Sequence, residues 1–278
     1  MRLGVSYTIF DGVELLESAI LQIRPHVDFI HVAYQEHSWF GHSMNPDDLR
    51  TLQDLVQRKL IDSLEKFTNF KIIKPEGRGV IQSKSFETQK RQAGLNACLR
   101  NRCTHFISMD VDEFYKSEEF KAAKDLVKSK NISLSSCRFI NYVKEPIFHR
   151  GYDGATVPFI CKITASSRMC KKFFTRCDPT RGVTKTVPGA DLIIPKELMS
   201  MHHMETVRRD LHKKYMATTR AIFKRGRTNQ LVNNIKSVNE NNTNVNFNKI
   251  IFPSLGNMKL KKVDNIFNIP YKQWSEQK

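Results

Sequence analysis

The stretch THFISMDVDEFY, residues 104–115, decides the fold. An apolar run, Phe106-Ile107-Ser108-Met109, ends in Asp110, Val111, Asp112 and Glu113, so three of four residues at its end are carboxylates. The run reads as a strand. In a strand, residues i and i+2 point to one side, so Asp110 and Asp112 project together while Met109 and Val111 point the other way. Two hard oxygen donors at the rim of a sheet make half a site for Mg²⁺ or Mn²⁺. A cation held between them and a diphosphate would neutralise charge on a departing phosphate. The bland alternative is a turn of acids capping the helix that follows.

Upstream, residues 2–10, 28–35 and 70–76 are rich in β-branched and aromatic residues and are predicted to be strands. Between them run helical patterns over 11–27, 46–62 and 83–100, the first with Leu15, Leu16, Ala19, Ile20 and Ile23 at helical spacing before Pro25. This alternation predicts an α/β fold, a mainly parallel central sheet flanked by helices. Ligands of such sheets bind beyond the carboxyl ends of the strands, where Asp110 and Asp112 sit. No G-x-G-x-x-G or Walker loop follows any strand.

With 278 residues and 40% apolar residues the chain can bury a sizeable core. No apolar run approaches the ~20 residues of a membrane span, and the N-terminus lacks a signal-peptide pattern, so a soluble, cytoplasmic protein is expected. The six cysteines form no C-x-x-C pair and match no zinc spacing, so buried free thiols are expected. The net charge of +17 is lopsided. Residues 1–120 carry 15 Lys and Arg against 17 Asp and Glu, and residues 121–278 carry 30 against 11. A field of that sign concentrates polyanions such as nucleic acid, acidic lipid or acidic glycan.

Beyond residue 120 the alternation decays. Residues 135–143 and 157–164 are predicted strands and 172–191 a loop-rich insertion. Residues 205–227 then show one helical stripe, Val207, Leu211, Tyr215, Thr218 and Ile222, with Arg208, Arg209, Lys213, Lys214, Arg220, Lys224 and Arg225 on the other faces. The Asn-rich residues 229–248 are expected to be loop or poorly ordered, and 249–256 an apolar piece packed back on the domain.

Taken together, GVELLESAILQIRPHVDFIHVAYQ, SWFG, KRQAGLNACLRNRCTHFISMDVDEFY, VPFI, DPTR and MHHMETVRRDLHKKY resemble the GT-A-fold glycosyltransferases, in a glycosyltransferase-2-like subgroup of phages and bacteria. The resemblance spans roughly residues 1–225. It implies a GT-A (Rossmann-like) domain with a nucleotide-sugar-binding half over 1–115, an acceptor-binding half over 116–227 and an Asn-rich C-terminal extension over 228–278. It implies a UDP-sugar donor and a divalent ion, Mn²⁺ or Mg²⁺. Thr8, Phe10 and Asp11 should lie against the nucleoside, Tyr34 and Gln35 should border the base, and Lys90 and Arg91 should open onto the diphosphate. The metal would be held by Asp112 and by Asp110, directly or through ribose and water. A late histidine ligand is sought in MSMHHME, where His202 and His203 point opposite ways if the piece is extended, so that only one can reach.

An inverting transfer needs a carboxylate to take the acceptor's hydroxyl proton. Asp178 of DPTR is the first candidate, with Asp153 and Asp191 behind it. The basic half suggests a polyanionic acceptor. Arg150, Arg168, Lys171, Lys172, Arg176, Arg181 and the 208–227 cluster are expected to line its track. Phe148, Tyr152, Phe173 and Phe174 are candidates to stack on a base turned out of a duplex. DNA carrying hydroxymethylated pyrimidines is the sharpest version. A bacterial surface glycan or lipid is the alternative, with weak contact to an anionic membrane through the basic helix. A non-catalytic nucleic-acid-binding protein and a metal-dependent nuclease are the readings from other classes.

Overall fold

A computed structural model describes residues 1–74, 79–217, 228–246 and 257–275. Its centre is a ten-stranded mixed sheet. The parallel part holds four strands in the order β3 (Ser63–Lys66), β2 (Phe29–Tyr34), β1 (Leu3–Ile9) and β4 (His105–Asp110). The crossovers carry α1 (Leu16–Ile23), α2 (Pro46–Gln57) and α3 (Gly79–Arg100). This is the α/β arrangement that the alternation predicts.

All seven residues of β1 are buried, as a strand covered on both faces requires. Leu3, Val5, Tyr7 and Ile9 point into one core with Leu16, Ala19, Ile20 and Ile23 of α1 and with Phe120, Ala123 and Val127 of α4 (Ser117–Ser129). Each of the Leu, Val, Ile and Phe side chains contributes about 1.5–3 kcal/mol by leaving water. The opposite face meets α3, where glycine matters at two close approaches. A Cβ on Gly94 would overlap the Ser6 hydroxyl, and one on Gly4 would lie 2.7 and 2.8 Å from the sulfurs of Cys98 and Cys103.

Past β4 the sheet turns antiparallel. The long β7 (Glu145–Lys162) pairs with β4 and with β6 (Leu134–Val143), and the bulged β6–β7 hairpin is irregular at four places. Beyond β6 lies β8 (Met201–His203), parallel to it and antiparallel to the short β5 (Glu113–Phe114). The sheet therefore returns to the strand end from which Asp110, Asp112 and Glu113 project.

Three expectations change. The third strand is Ser63–Lys66, not 70–76, of which 71–74 are irregular and 75–76 lie outside the described residues. Phe70 instead joins an aromatic group around Trp39, at 4.9 Å between ring centres. The helix in the basic segment begins only at Leu211, as α5 (Leu211–Ala217), while Thr218, Arg220, Ile222, Lys224 and Arg225 lie outside the described residues. The Asn-rich stretch is not a loop throughout. It forms α6 (Thr228–Lys236), because Leu231, Val232 and Ile235 bury one stripe against Phe148, Leu211 and Leu260. Residues 249–256 lie outside the described residues. Of the six cysteines, all free, Cys98, Cys103, Cys137 and Cys161 are buried and Cys170 and Cys177 are half-buried. Among the described residues no helix is long and apolar enough to cross a membrane.

Candidate active site

The parallel register brings the site together. Thr8 lies opposite Asp110 on one side and Ala33 on the other, so the ends of β1, β2 and β4 open at one level. There a cleft of about 480 Å³ is lined by Thr8, Phe10, Asp11, Gln35, Lys90, Arg91, Asp110, Asp112 and Asp178, all expected from the sequence. Ser38, Trp39, Thr180, Arg208 and Lys214 line it as well. Tyr34 does not; it packs against the core. Asp153 and Asp191 are not in the lining either, and pair with Arg150 at 3.3 Å and Lys185 at 2.8 Å.

Lys90 and Arg91 reach the cleft because Gly94, one turn on, lets α3 sit hard against β1. The Lys90 ammonium donates to Ile9 O at 2.7 Å and Gln35 Oε1 at 3.0 Å. Burial lowers its pKa to about 8, although the carboxylates of Glu87 and Asp110 pull the other way. Arg91 donates to Ser108 Oγ at 2.9 Å and to Asp110 Oδ1 at 2.8 Å.

The two aspartates are each met by two cations. Asp110 accepts from Thr8 Oγ1 at 2.8 Å, from Arg91 and, on its other oxygen, from Arg181. Asp112 Oδ2 accepts from Arg208 at 2.6 Å and Lys214 at 2.7 Å. Burial alone would raise both pKa values. Arg181 and Arg91 on Asp110, and Lys214 and Arg208 on Asp112, outweigh it and hold both carboxyls below the usual range. Glu113 is buried beside Arg181 at 2.5 Å, and its Oε2 accepts from the Asp110 amide at 3.0 Å. Burial still pushes its pKa up to about 7, with Asp110 and Asp112 adding to the effect.

Backbone stitching explains why such distant cations arrive here. His203 pairs with Glu113 across β8 and β5, and Met204 N donates to Asp112 O at 2.7 Å. The chain then passes over Gly12, whose φ of 78° and missing Cβ leave room for the Arg208 guanidinium. Arg181 is aimed by a turn in which Asp178 Oδ1 accepts from the Thr180 amide and hydroxyl, both at 2.7 Å. Desolvation raises the Asp178 pKa, but Arg91, Arg181 and those hydrogen bonds hold it below the ordinary value.

The histidine pair points two ways. His203 Nε2 stands 3.7 Å from Asp112 Oδ1, with its Nδ1 on Asn141 Oδ1 at 2.9 Å. His202 is buried on Tyr142 OH at 3.0 Å and against Phe267, away from the aspartates. The carboxylates, as arranged, do not fit a divalent ion. Among the described residues no group of three His, Cys, Asp or Glu side chains is placed to hold one. Two unit charges 4 Å apart repel by about 4 kcal/mol at an effective dielectric near 20, so an ion on Asp112 would first have to expel Arg208 and Lys214.

Arg181, Arg208 and Lys214, expected to line the acceptor's track, have their side chains buried against the aspartates instead. Phe148 is fully buried in the core around α6 and cannot stack on a ligand. Phe173 packs against a core cluster, whereas Tyr152 (49% exposed) and Phe174 (37%) present their rings to solvent. Arg168, Lys171, Lys172 and Arg176 are exposed, and Arg150 is half-buried. Trp39 was missed as a lining residue; its signal was an aromatic in the SWFG loop after β2.

No family model and no curated protein matches the chain. Solved structures do resemble it. S. aureus TarS 1–349 in complex with UDP-GlcNAc matches at TM-score 0.35 and 11% identity, over 51% of this chain and 35% of that one. A longer S. aureus TarS matches at 0.35 and 14%, over 51% and 22%. Mannose-1-phosphate geranyltransferase from Thermus thermophilus matches at 0.30 and 10%, over 59% and 51%. The chain thus spans about a third or less of the TarS chains. The likeness is distant, and the fold described above rests on this chain's own strand order.

Proposed function

We propose that this protein is a GT-A-type glycosyltransferase that moves a sugar from a UDP-sugar to a polyanionic acceptor, with DNA carrying hydroxymethylated pyrimidines as the leading acceptor. The observation that carries the reading is the cleft at the carboxyl ends of β1, β2 and β4, where Thr8, Gln35, Lys90, Arg91 and Asp110 converge. Such a cleft suits a nucleotide whose base lies toward Gln35 and Trp39 and whose diphosphate lies toward the cations. Charge on the departing nucleotide is then stabilised by fixed donors, as electrostatic preorganisation requires. Asp178, at the edge of the same cleft, is the candidate to receive the acceptor's proton.

The acceptor assignment draws on the surplus of cations after residue 120. It also draws on the exposed Arg168, Lys171, Lys172 and Arg176 and on the exposed rings of Tyr152 and Phe174. The test is transfer of label from a panel of UDP-sugars to hydroxymethylated DNA, unmodified DNA, bacterial glycan and lipid extract. Label on hydroxymethylated DNA alone is the expected result. Label on glycan or lipid moves the acceptor to the cell surface. Absence of transfer together with DNA binding would leave a non-catalytic nucleic-acid-binding protein, and loss of intact plasmid in Mg²⁺ would leave a nuclease.

A further inference from the structure

We infer that the cleft holds a nucleotide's diphosphate by a clamp of arginine and lysine donors, with no divalent ion between the phosphates and the Asp110–Asp112 pair. The inference rests on the nucleotide reading above and names how that site grips its ligand.

Three observations carry it. First, donors are left over. Arg91 Nε, Arg208 Nε and Arg208 Nη1 are buried without a hydrogen-bond partner, on side chains only 3% exposed that line the cleft. A buried charged N–H with no acceptor is unfavourable, and phosphate oxygens are acceptors that match the guanidinium fork. Second, the donors come from separate parts of the chain that converge on one place: Arg91 from α3, Arg208 from the segment after β8, and Lys214 from α5. Third, the carboxylates already have an occupation. Asp110 fixes Arg91 and Arg181, and Asp112 fixes Arg208 and Lys214. They act as positioning residues that orient cations toward the cleft. A dication seated on the same oxygens would compete with those cations for them.

The experiment is calorimetric titration of the full chain with UDP in EDTA and in Mn²⁺, and with inorganic pyrophosphate in EDTA. It is run on the natural protein, on Arg208→Ala and on Arg208→Lys. Arg208→Lys keeps the net charge and the partner for Asp112 but removes the Nε and Nη1 donors, so non-specific attraction is unchanged. Thermal unfolding reports whether each variant is folded. The expected result is that UDP and pyrophosphate both bind in EDTA, UDP within about threefold of its affinity in Mn²⁺, and that Arg208→Lys weakens both by about tenfold or more. Pyrophosphate binding in EDTA, lost in Arg208→Lys, without UDP binding would support the clamp and remove the nucleotide reading. UDP binding that requires Mn²⁺ would overturn the clamp and leave the nucleotide reading standing. Binding in EDTA that Arg208→Lys does not change would also overturn it, because the anion would then be held elsewhere.

Discussion

At the scale of single residues, Lys90 sets a pH limit. Its ammonium is buried at the cleft, with a pKa lowered to about 8. A lowered cation binds its proton less tightly folded than unfolded, so the folded state carries fewer protons between about 8 and the ordinary lysine value. Folding stability therefore gains as pH rises through that window, while attraction for an anion declines. UDP affinity is expected to fall by up to about tenfold per pH unit above pH 8, and Lys90→Arg should flatten that decline, as read by titration at pH 7, 8 and 9. Asp178→Asn should lower kcat by about 10²–10⁴-fold with little change in UDP affinity if Asp178 takes the acceptor's proton. An unchanged kcat leaves Asp178 only its turn with Thr180. The residues of this site were unevenly legible. Asp110 and Asp112 could be read because acids closing an apolar run mark a strand's end, but not through strand alternation: β4 stops at Asp110, Asp112 sits in the turn after it, and Val111 lines the cleft as well. Arg208 and Arg181 could not, because their partners lie 96 and 71 residues away and charge in a sequence looks the same whether solvated or paired.

At the scale of elements, α2 and α3 each carry a test. Asp48 sits in the first turn of α2, capped by Asn45, where a helix favours a negative charge. Burial nevertheless pushes its pKa up to about 6, with Glu14 adding to the rise and Lys213 and Arg209 opposing it. Below about pH 3.8 both folded and unfolded chains hold the proton, and there is no penalty. As pH rises through 6 the unfolded chain loses it more readily, so up to about 3 kcal/mol of stability is lost. Asp48→Asn should therefore melt near the natural protein at pH 4 and higher than it at pH 7.5. In α3, Gly94→Ala would drive a methyl into Ser6 and lift the helix from β1. A destabilisation of about 1–3 kcal/mol is expected, with a loss of UDP affinity beyond what reduced folding explains. The elements also show where pattern reading fails. Ser63–Lys66 is a half-exposed edge strand with no apolar alternation to betray it, whereas the apolar Phe70 and Ile73 serve the loop around Trp39, Phe70 through a ring contact and Ile73 through its amide N–H, which donates to Trp39 O at 2.9 Å.

For the whole molecule, the separation of charge predicts salt-sensitive acceptor binding. If n phosphates meet exposed cations such as Lys171, Lys172 and Arg176, the logarithm of affinity should fall with the logarithm of salt at a slope near −0.9n for duplex DNA. Neutralising those three residues together should reduce the slope by about 3, and UDP affinity should not move. The order in which these parts are made has its own consequence. Asp112 is translated 96 residues before Arg208 and 102 before Lys214. On a ribosome adding 5–20 residues per second, Asp112 waits about 5–20 s for its counter-charges. During that interval Asp110 already has Arg91, and later Arg181, whereas Asp112 has neither of its two cations. The mouth of the cleft is thus completed only after most strands of the sheet, and a premature stop before Arg208 would release a chain with those strands made and both cations of Asp112 missing.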